Sequence, residues 1–340
     1  MRTKVFATVL LLGTSLTPVL SGTASAADEP FKGKTVELLV GFGPGGGYDA
    51  YARALGRFIG AHIAGKPDVV VKNVPGAGSI KLANALYSVS PKDGTSFGTF
   101  DPNLITTPLL DPKKVKFDAS KFNWIGSISG STNVCISWHT SPVKSVDDLR
   151  TMSVHFGATG REDARYMDAA IMRNLFGAKL QIITGYQGSS DVRLAMERGE
   201  IAGNCGDSWS SLKTTASDWL KEKKINILAQ FGLQKHPEMP NVPLVLDMAK
   251  TDQQKNALKL LFAPRFAGRP YAAPPAVPAD RVALLRAAFD ATMTDTGFLA
   301  FADQAKLEVS PATGQQVADL ISGIYRSSPE VVEAARKAIE

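Results

Sequence analysis

The chain has 340 residues, 44% of them hydrophobic and 21% charged, with a formal net charge of +6, four histidines and two cysteines. That length suffices for two lobes of ordinary domain size, and the composition is that of a globular protein rather than a disordered one. The charge excess is mild, with no dense basic cluster beyond the solvated stretch Lys221 to Lys224, so nucleic-acid binding is not expected; the Cys and His spacings contain no metal motif.

Arg2 and Lys4 precede a mostly apolar run over 5–20, and Ala24-Ser25-Ala26 offers an A-x-A cleavage site. This is the pattern of a secretory signal peptide, so residues 1–26 are set aside from fold reasoning. The alternative, a membrane anchor, needs ~20 apolar residues and the run is shorter. The expectation is a soluble, exported protein in the periplasm.

Strands then alternate with helices. Thr35 to Val40 is a β-prone run, Gly41 to Gly47 reads GFGPGGG, and Tyr48 to Leu55 has a helical pattern. Such a strand, glycine loop and helix aim backbone N–H groups and the positive end of a helix dipole at one point, a geometry suited to an anion. Further strands are expected at 69–71, 96–100, 124–129, 134–138, 153–156, 180–184, 201–205 and 225–229. Glycine turns fall at 76–79, 157–160 and 185–188, each after a strand. Ser145 and Asp148 have the spacing of a capping box. Helices are expected near 80–88, 162–176 and 191–198, one beginning at Asp207, and three more near 279–293, 314–326 and 329–339.

This alternation implies an α/β protein with two mostly parallel sheets covered on both faces, and ligand loops at the carboxyl ends of the strands. The expected partition is lobe 1 over 27–130 plus 226–340 and lobe 2 over 131–225. Cys135 and Cys205 lie in strand-like runs. In an oxidising compartment they are expected to pair, the alternative being two buried thiols.

Enzyme motifs fail one by one. Gly41, Gly43 and Gly46 fit G-x-G-x-x-G, but Val71 is followed by Lys72 and Asn73 instead of the acidic residue a dinucleotide ribose needs. No GK[ST] completes a phosphate loop, and Gly206-Asp207-Ser208-Trp209-Ser210 lacks the last glycine of a nucleophile elbow. Neither a cofactor nor catalysis is expected. Glycine loops from two lobes, closing on each other, would instead hold a small carboxylate or dicarboxylate.

The run from Val40 to Asp49, the stretch Val71 to Ser79 (VKNVPGAGS) and Pro91-Lys92-Asp93-Gly94 resemble, in order and spacing, the periplasmic solute receptors of tripartite tricarboxylate transporters, the Bug family. The resemblance runs from about 31 to 335. It implies a two-lobed, Venus-flytrap periplasmic-binding-protein fold of type II-like form. It also implies a small organic acid (a mono-, di- or tricarboxylate) as ligand and the membrane subunits of a tripartite tricarboxylate-type transporter as partners; a monomer is expected. Matched residue by residue, the first anchor is Phe42, Gly43, Pro44, Gly45, Gly46, Gly47 and Tyr48. The second-lobe loop is Gly157, Ala158, Thr159, Gly160 and Arg161. The family's Tyr-Lys-Gly turn is Tyr186, Gln187 and Gly188, and its acidic residue after the last second-lobe strand is Asp207. Gln187 replaces the usual Lys, and Arg161 and Trp209 depart from the pattern.

Arg161 is either a bidentate carboxylate clamp or a solvent-facing helix-start residue paired with Glu162 or Asp163. Tyr48 and Trp209 either stack on the ligand or pack in the protein. Asp207 either accepts from a ligand donor or caps its helix. Two other classes remain beside the receptor: an exported enzyme acting on a carboxylated substrate, and a sensory accessory protein with the same fold.

Overall fold

A computed structural model describes residues 29–340; the expected leader, 1–26, lies outside the described residues. The strands are β1 (Thr35–Val40), β2 (Asp68–Asn73), β3 (Ser96–Thr99), β4 (Asn123–Ser127), β5 (Asn133–Trp138), β6 (Val154–Gly157), β7 (Leu180–Ile183), β8 (Gly203–Ser208), β9 (Ile225–Phe231), β10 (Pro270–Ala273) and β11 (Ala312–Thr313). The helices are α1 (Gly47–His62), α2 (Ile80–Ser88), α3 (Thr107–Leu110), α4 (Val146–Thr151), α5 (Ala164–Phe176), α6 (Ser189–Glu197), α7 (Trp209–Thr215), α8 (Ser217–Lys221), α9 (Asp252–Phe262), α10 (Ala279–Thr294), α11 (Thr296–Gln304), α12 (Gly314–Ile324) and α13 (Pro329–Ile339).

The strands form two sheets, ordered β11-β4-β10-β3-β1-β2 and β7-β6-β8-β5-β9. Both are mixed, which corrects the expectation of mostly parallel sheets. β1 is parallel to β2 and β3, but β10 runs antiparallel to β3 and β4. In the second sheet β6 is parallel to β7 and β8, while β5 is antiparallel to β8 and β9. The reason is the crossover. The chain leaves the first sheet at the carboxyl end of β4, and β5 enters the second sheet between β8 and β9 and runs against both. On the return, β10 does the same in the first sheet. The two crossing segments lie side by side, joined by hydrogen bonds from Ile128 N–H to the Arg269 carbonyl (3.2 Å), Arg269 N–H to the Ser129 carbonyl (3.1 Å) and Ser131 N–H to the Arg265 carbonyl (2.8 Å).

β9 pairs with β5 along its length. Residues 225–231 therefore belong to the second sheet, and the second lobe continues past residue 225. The helical segments at 279–294, 314–324 and 329–339 follow the apolar periodicity. The Ser145/Asp148 capping box is formed. Cys135 and Cys205 are joined by a disulfide between β5 and β8.

The core of the first lobe gathers Val36, Leu38 and Val40 of β1 with Tyr51, Leu55 and Ile59 on one face of α1 and with Leu285 and Phe289 of α10. A second cluster runs through both lobes, joining Phe100 and Trp124 to Phe156 and Met172 and, through Val332 and Ala335 of α13, to Leu258 and Leu261 of α9. This cluster is thus shared between the two lobes. Burial of this kind stabilises by roughly 25 cal/mol per Å² of apolar surface.

Candidate functional site

The first glycine loop is braced from within its own lobe. Asp49, in the first turn of α1, accepts from the Gly45 amide (3.0 Å), from Arg53 Nε (2.9 Å) and from Asn73 Nδ2 (2.9 Å); Asn73 Nδ2 also donates to the Phe42 carbonyl (2.9 Å). The loop then meets the second lobe directly. The Gly43 amide donates to the Gln187 carbonyl at 2.9 Å and Ser190 Oγ to the Pro44 carbonyl at 3.1 Å. A Cβ on Gly46 would sit 2.8 Å from Ser189 Oγ, and one on Gly160 only 2.5 Å from the Gly78 nitrogen. The glycine turns of the two lobes thus face each other and touch. Their Gly43 and Gly45 amides are turned to the protein's own carbonyl and carboxylate, not to open space.

Behind these turns lies a small enclosed cavity of about 20 Å³, lined by Tyr48, Asp101, Asn103, Asn133, Arg165, Ser189, Ser208, Ser211, Arg265 and Arg269 among others. That volume suits a single water-sized occupant, so a multi-carbon ligand enters only when the lobes part. The lining is charged and almost wholly buried. Arg165, from α5, donates to Asp207 at 3.0 Å, and Arg193, from α6, reaches the same carboxylate at 3.1 and 3.2 Å. Arg265 pairs with Asp168 and lies 4.3 Å from the centre of the Phe262 ring. Its Nε and Nη1 have no hydrogen-bond partner.

Arg269 differs from these three. It is 2% exposed, and among the described residues no carboxylate lies within ion-pair distance of it. Its Nη2 donates to Ser211 Oγ (2.7 Å), Ser208 Oγ (3.0 Å) and Ser210 Oγ (3.3 Å), and its Nη1 to the Gly268 carbonyl (3.1 Å). The guanidinium rests against Tyr48 and Tyr51, 4.7 and 4.9 Å from the ring centres. Nε is buried and unpartnered. A buried cation with only neutral acceptors is costly unless an anion joins it.

The Tyr48 hydroxyl is pushed well above the ordinary phenol value by burial and then by the Asp101 carboxylate, with Arg269 and Arg165 pulling the other way. These side chains therefore share one electrostatic neighbourhood. Asp101 is pushed up to about 7, mainly by burial and then by the neighbouring Asp163, against the Asn103 and Ala164 amides and Arg165. Its Oδ2 accepts the Ala164 amide at 3.2 Å, so a first-lobe carboxylate caps a second-lobe helix whose own cap is Asp163.

Of the residues singled out from sequence, Tyr48 lines the cavity. It also stacks on Phe42, ring centres 4.6 Å apart. Arg161 is exposed, 5.4 Å from the Tyr166 ring, and lines a separate recess of about 150 Å³ with Lys114, Glu162 and Glu340. This placement is that of the solvent-facing alternative, although Glu162 pairs with Lys114 at 3.3 Å. Asp207 is strand, not cap: β8 runs through Ser208, and Asp207 is the counter-ion of Arg165 and Arg193. Trp209 packs in the second-lobe core and donates Nε1 to Glu238 at 2.6 Å. Gly157 packs against Ile201 and Tyr186, and Ala158 is buried beside Tyr166. Thr159 donates to Asp163 through its amide (2.9 Å) and its hydroxyl. Gly188 approaches Gly43, and Gln187 is exposed. Gly47 packs against Ser211 and Arg269.

Sequence reasoning missed Asp101, Arg165, Arg265 and Arg269. Arg269 follows Gly268 and precedes Pro270 in a stretch that carries no motif, so nothing local marks it.

Two lobes on mixed sheets, linked by paired crossing segments and meeting over a polar cleft, define a solute-binding protein of the periplasmic-binding-protein fold. The chain belongs to the tripartite tricarboxylate transporter family receptors, whose family model matches residues 59–336. Among solved structures it is similar to the periplasmic binding protein BugD, at 19% identity and TM-score 0.71 over 89% of this chain and 97% of that one. The Rhodopseudomonas palustris protein MatC, solved with bound malate, is 16% identical with TM-score 0.69, over 90% and 99% of the two chains. Rpa4515 of R. palustris, solved with adipate, is 17% identical with TM-score 0.69, over 88% and 97%.

Proposed function

We propose that this protein is a non-catalytic periplasmic receptor, exported by the leader at 1–26, that closes its lobes on a small organic carboxylate. It acts as a monomer and delivers the acid to the membrane subunits of a tripartite tricarboxylate-type transporter. Family membership supports the delivery step, and malate and adipate in two proteins of like fold support the ligand class. The observation that carries the reading is Arg269: a buried guanidinium lining the cleft cavity, with no carboxylate paired to it among the described residues. In this reading the glycine turns of Gly43 to Gly47, Gly157 to Gly160 and Tyr186 to Gly188 form the rims that meet on closure, and the ligand's charge is taken up behind them.

The test is calorimetry with a panel of mono-, di- and tricarboxylates on wild type, Arg269→Met and Arg161→Ala. One or more acids bind wild type saturably and are recovered unchanged. Arg269→Met loses about tenfold or more in affinity, as expected for a charge-assisted hydrogen bond. Arg161→Ala stays within about twofold, being exposed and outside the cleft. Equal affinity of wild type and Arg269→Met, or conversion of the acid to a product, refutes the reading.

A further inference from the structure

A site built to take an anion contains an acid. Asp101, at the carboxyl end of β3, is 1% exposed and lines the same cavity as Tyr48, Arg165 and Arg269. Among the described residues it makes no ion pair. Its Oδ1 accepts the Asn103 amide at 2.9 Å and its Oδ2 the Ala164 amide at 3.2 Å. A carboxylate accepts about four hydrogen bonds, so both oxygens keep capacity. An unpaired guanidinium and an unpaired carboxylate therefore face one small space without pairing to each other. Above about pH 7, where Asp101 is ionised, a plain carboxylate bound at Arg269 would share the small cavity with the Asp101 carboxylate, and like charges so placed disfavour binding.

Resting on the carboxylate-receptor reading above, we infer that Arg269 and Asp101 together select an acid carrying its own hydrogen-bond donor beside the carboxylate, a hydroxyl or an ammonium. The carboxylate goes to Arg269 with Ser208 and Ser211, and the donor goes to Asp101. The donor turns a repulsive contact into a charge-assisted hydrogen bond. An unsubstituted acid leaves Asp101 buried and facing negative charge. Discrimination of this type is strong because the analogue lacking the donor strands a buried polar group.

Matched acids test it by calorimetry at about pH 8, where Asp101 is ionised: malate and aspartate against succinate, and lactate against propionate. In wild type the substituted member of at least one pair binds about tenfold tighter or more. Asp101→Ala shrinks that ratio to about threefold or less, largely by binding the plain acid better. If the alanine variant fails to fold, Asp101→Asn keeps an amide-accepting oxygen while removing the charge, and the aspartate preference falls. Equal affinities within every pair in wild type, or a ratio untouched by a folded Asp101 variant, overturn the inference while the receptor reading stands. Failure of wild type to bind any acid removes the receptor reading itself.

Discussion

At the scale of single residues, the buried charges of the cleft are unequally compensated by the protein's own groups. Arg165 and Arg193 share Asp207, and Arg265 has Asp168, but among the described residues Arg269 is partnered by hydroxyls, a carbonyl and two tyrosine rings, not by a carboxylate. Replacing a poorly compensated buried ion by an apolar side chain is often neutral or stabilising. The ligand-free Arg269→Met variant is therefore expected to melt no lower than wild type while it loses affinity. Asp101 gives a pH dependence. Its value of about 7 lies above the ordinary 3.8, so the folded state holds a proton that the unfolded chain has released. The stability this supplies is whole below the ordinary value and is lost as pH rises through about 7. Asp163, Arg165 and Tyr48 surround the group, and Asp49, Asp93, Asp148, Glu238 and Asp295, all lowered, act in the opposite sense at acid pH. The readable quantity is thus a difference. The melting temperature of Asp101→Asn minus that of wild type should grow between about pH 5 and pH 8. A constant difference would mean that Asp101 ionises in its ordinary range.

At the scale of elements, the disulfide ties the two strands on which the second sheet is organised. β5 is the antiparallel strand introduced by the crossover, and β8 delivers Asp207 and Ser208 to the cleft. Cys135 and Cys205 are 70 residues apart, and closing such a loop stabilises by about 2–4 kcal/mol. The double variant Cys135→Ala/Cys205→Ala should lose about that much in urea unfolding. Unchanged stability would mean that the bridge does not form in solution. Much at this scale was legible beforehand. The capping box at Ser145, the apolar spacing of the C-terminal helices and the strand preceding each glycine turn are local patterns, set by residues within a few positions of one another. The antiparallel sense of β5 and β10 was not legible, because it follows from where the chain crosses between lobes. The assignment of β9 to the second sheet was missed for a related reason: its partner β5 lies about ninety positions earlier in the chain.

At the scale of the whole molecule, closure is a contact between glycine turns, and it has little tolerance. Gly160 approaches the Gly78 backbone so closely that an added Cβ would fall 2.5 Å from its nitrogen. Gly160 itself has ordinary backbone geometry, so Gly160→Ala leaves its lobe foldable and obstructs only the approach of the other. The expected outcome is a wider molecule by small-angle scattering and an affinity for carboxylates reduced by about tenfold, since the closed form is the one that completes the site. Unchanged scattering and unchanged affinity would show that this contact is not needed for capture.

The sequence by itself determined the alternation of elements, the glycine turns at strand ends, the family and the class of ligand. All of these rest on patterns read within short windows of chain. The tertiary structure decided which side chains meet. Arg165, Arg265 and Arg269 come from a second-lobe helix and a return crossing about a hundred residues later, and Asp101 from the first lobe. No periodicity predicts that four such charged residues will be buried around one cavity, because their burial depends on two lobes coming together. Arg161 illustrates the converse. It stands next to a family motif, yet a turn of only a few residues leaves it outside the cleft that the more distant arginines enclose.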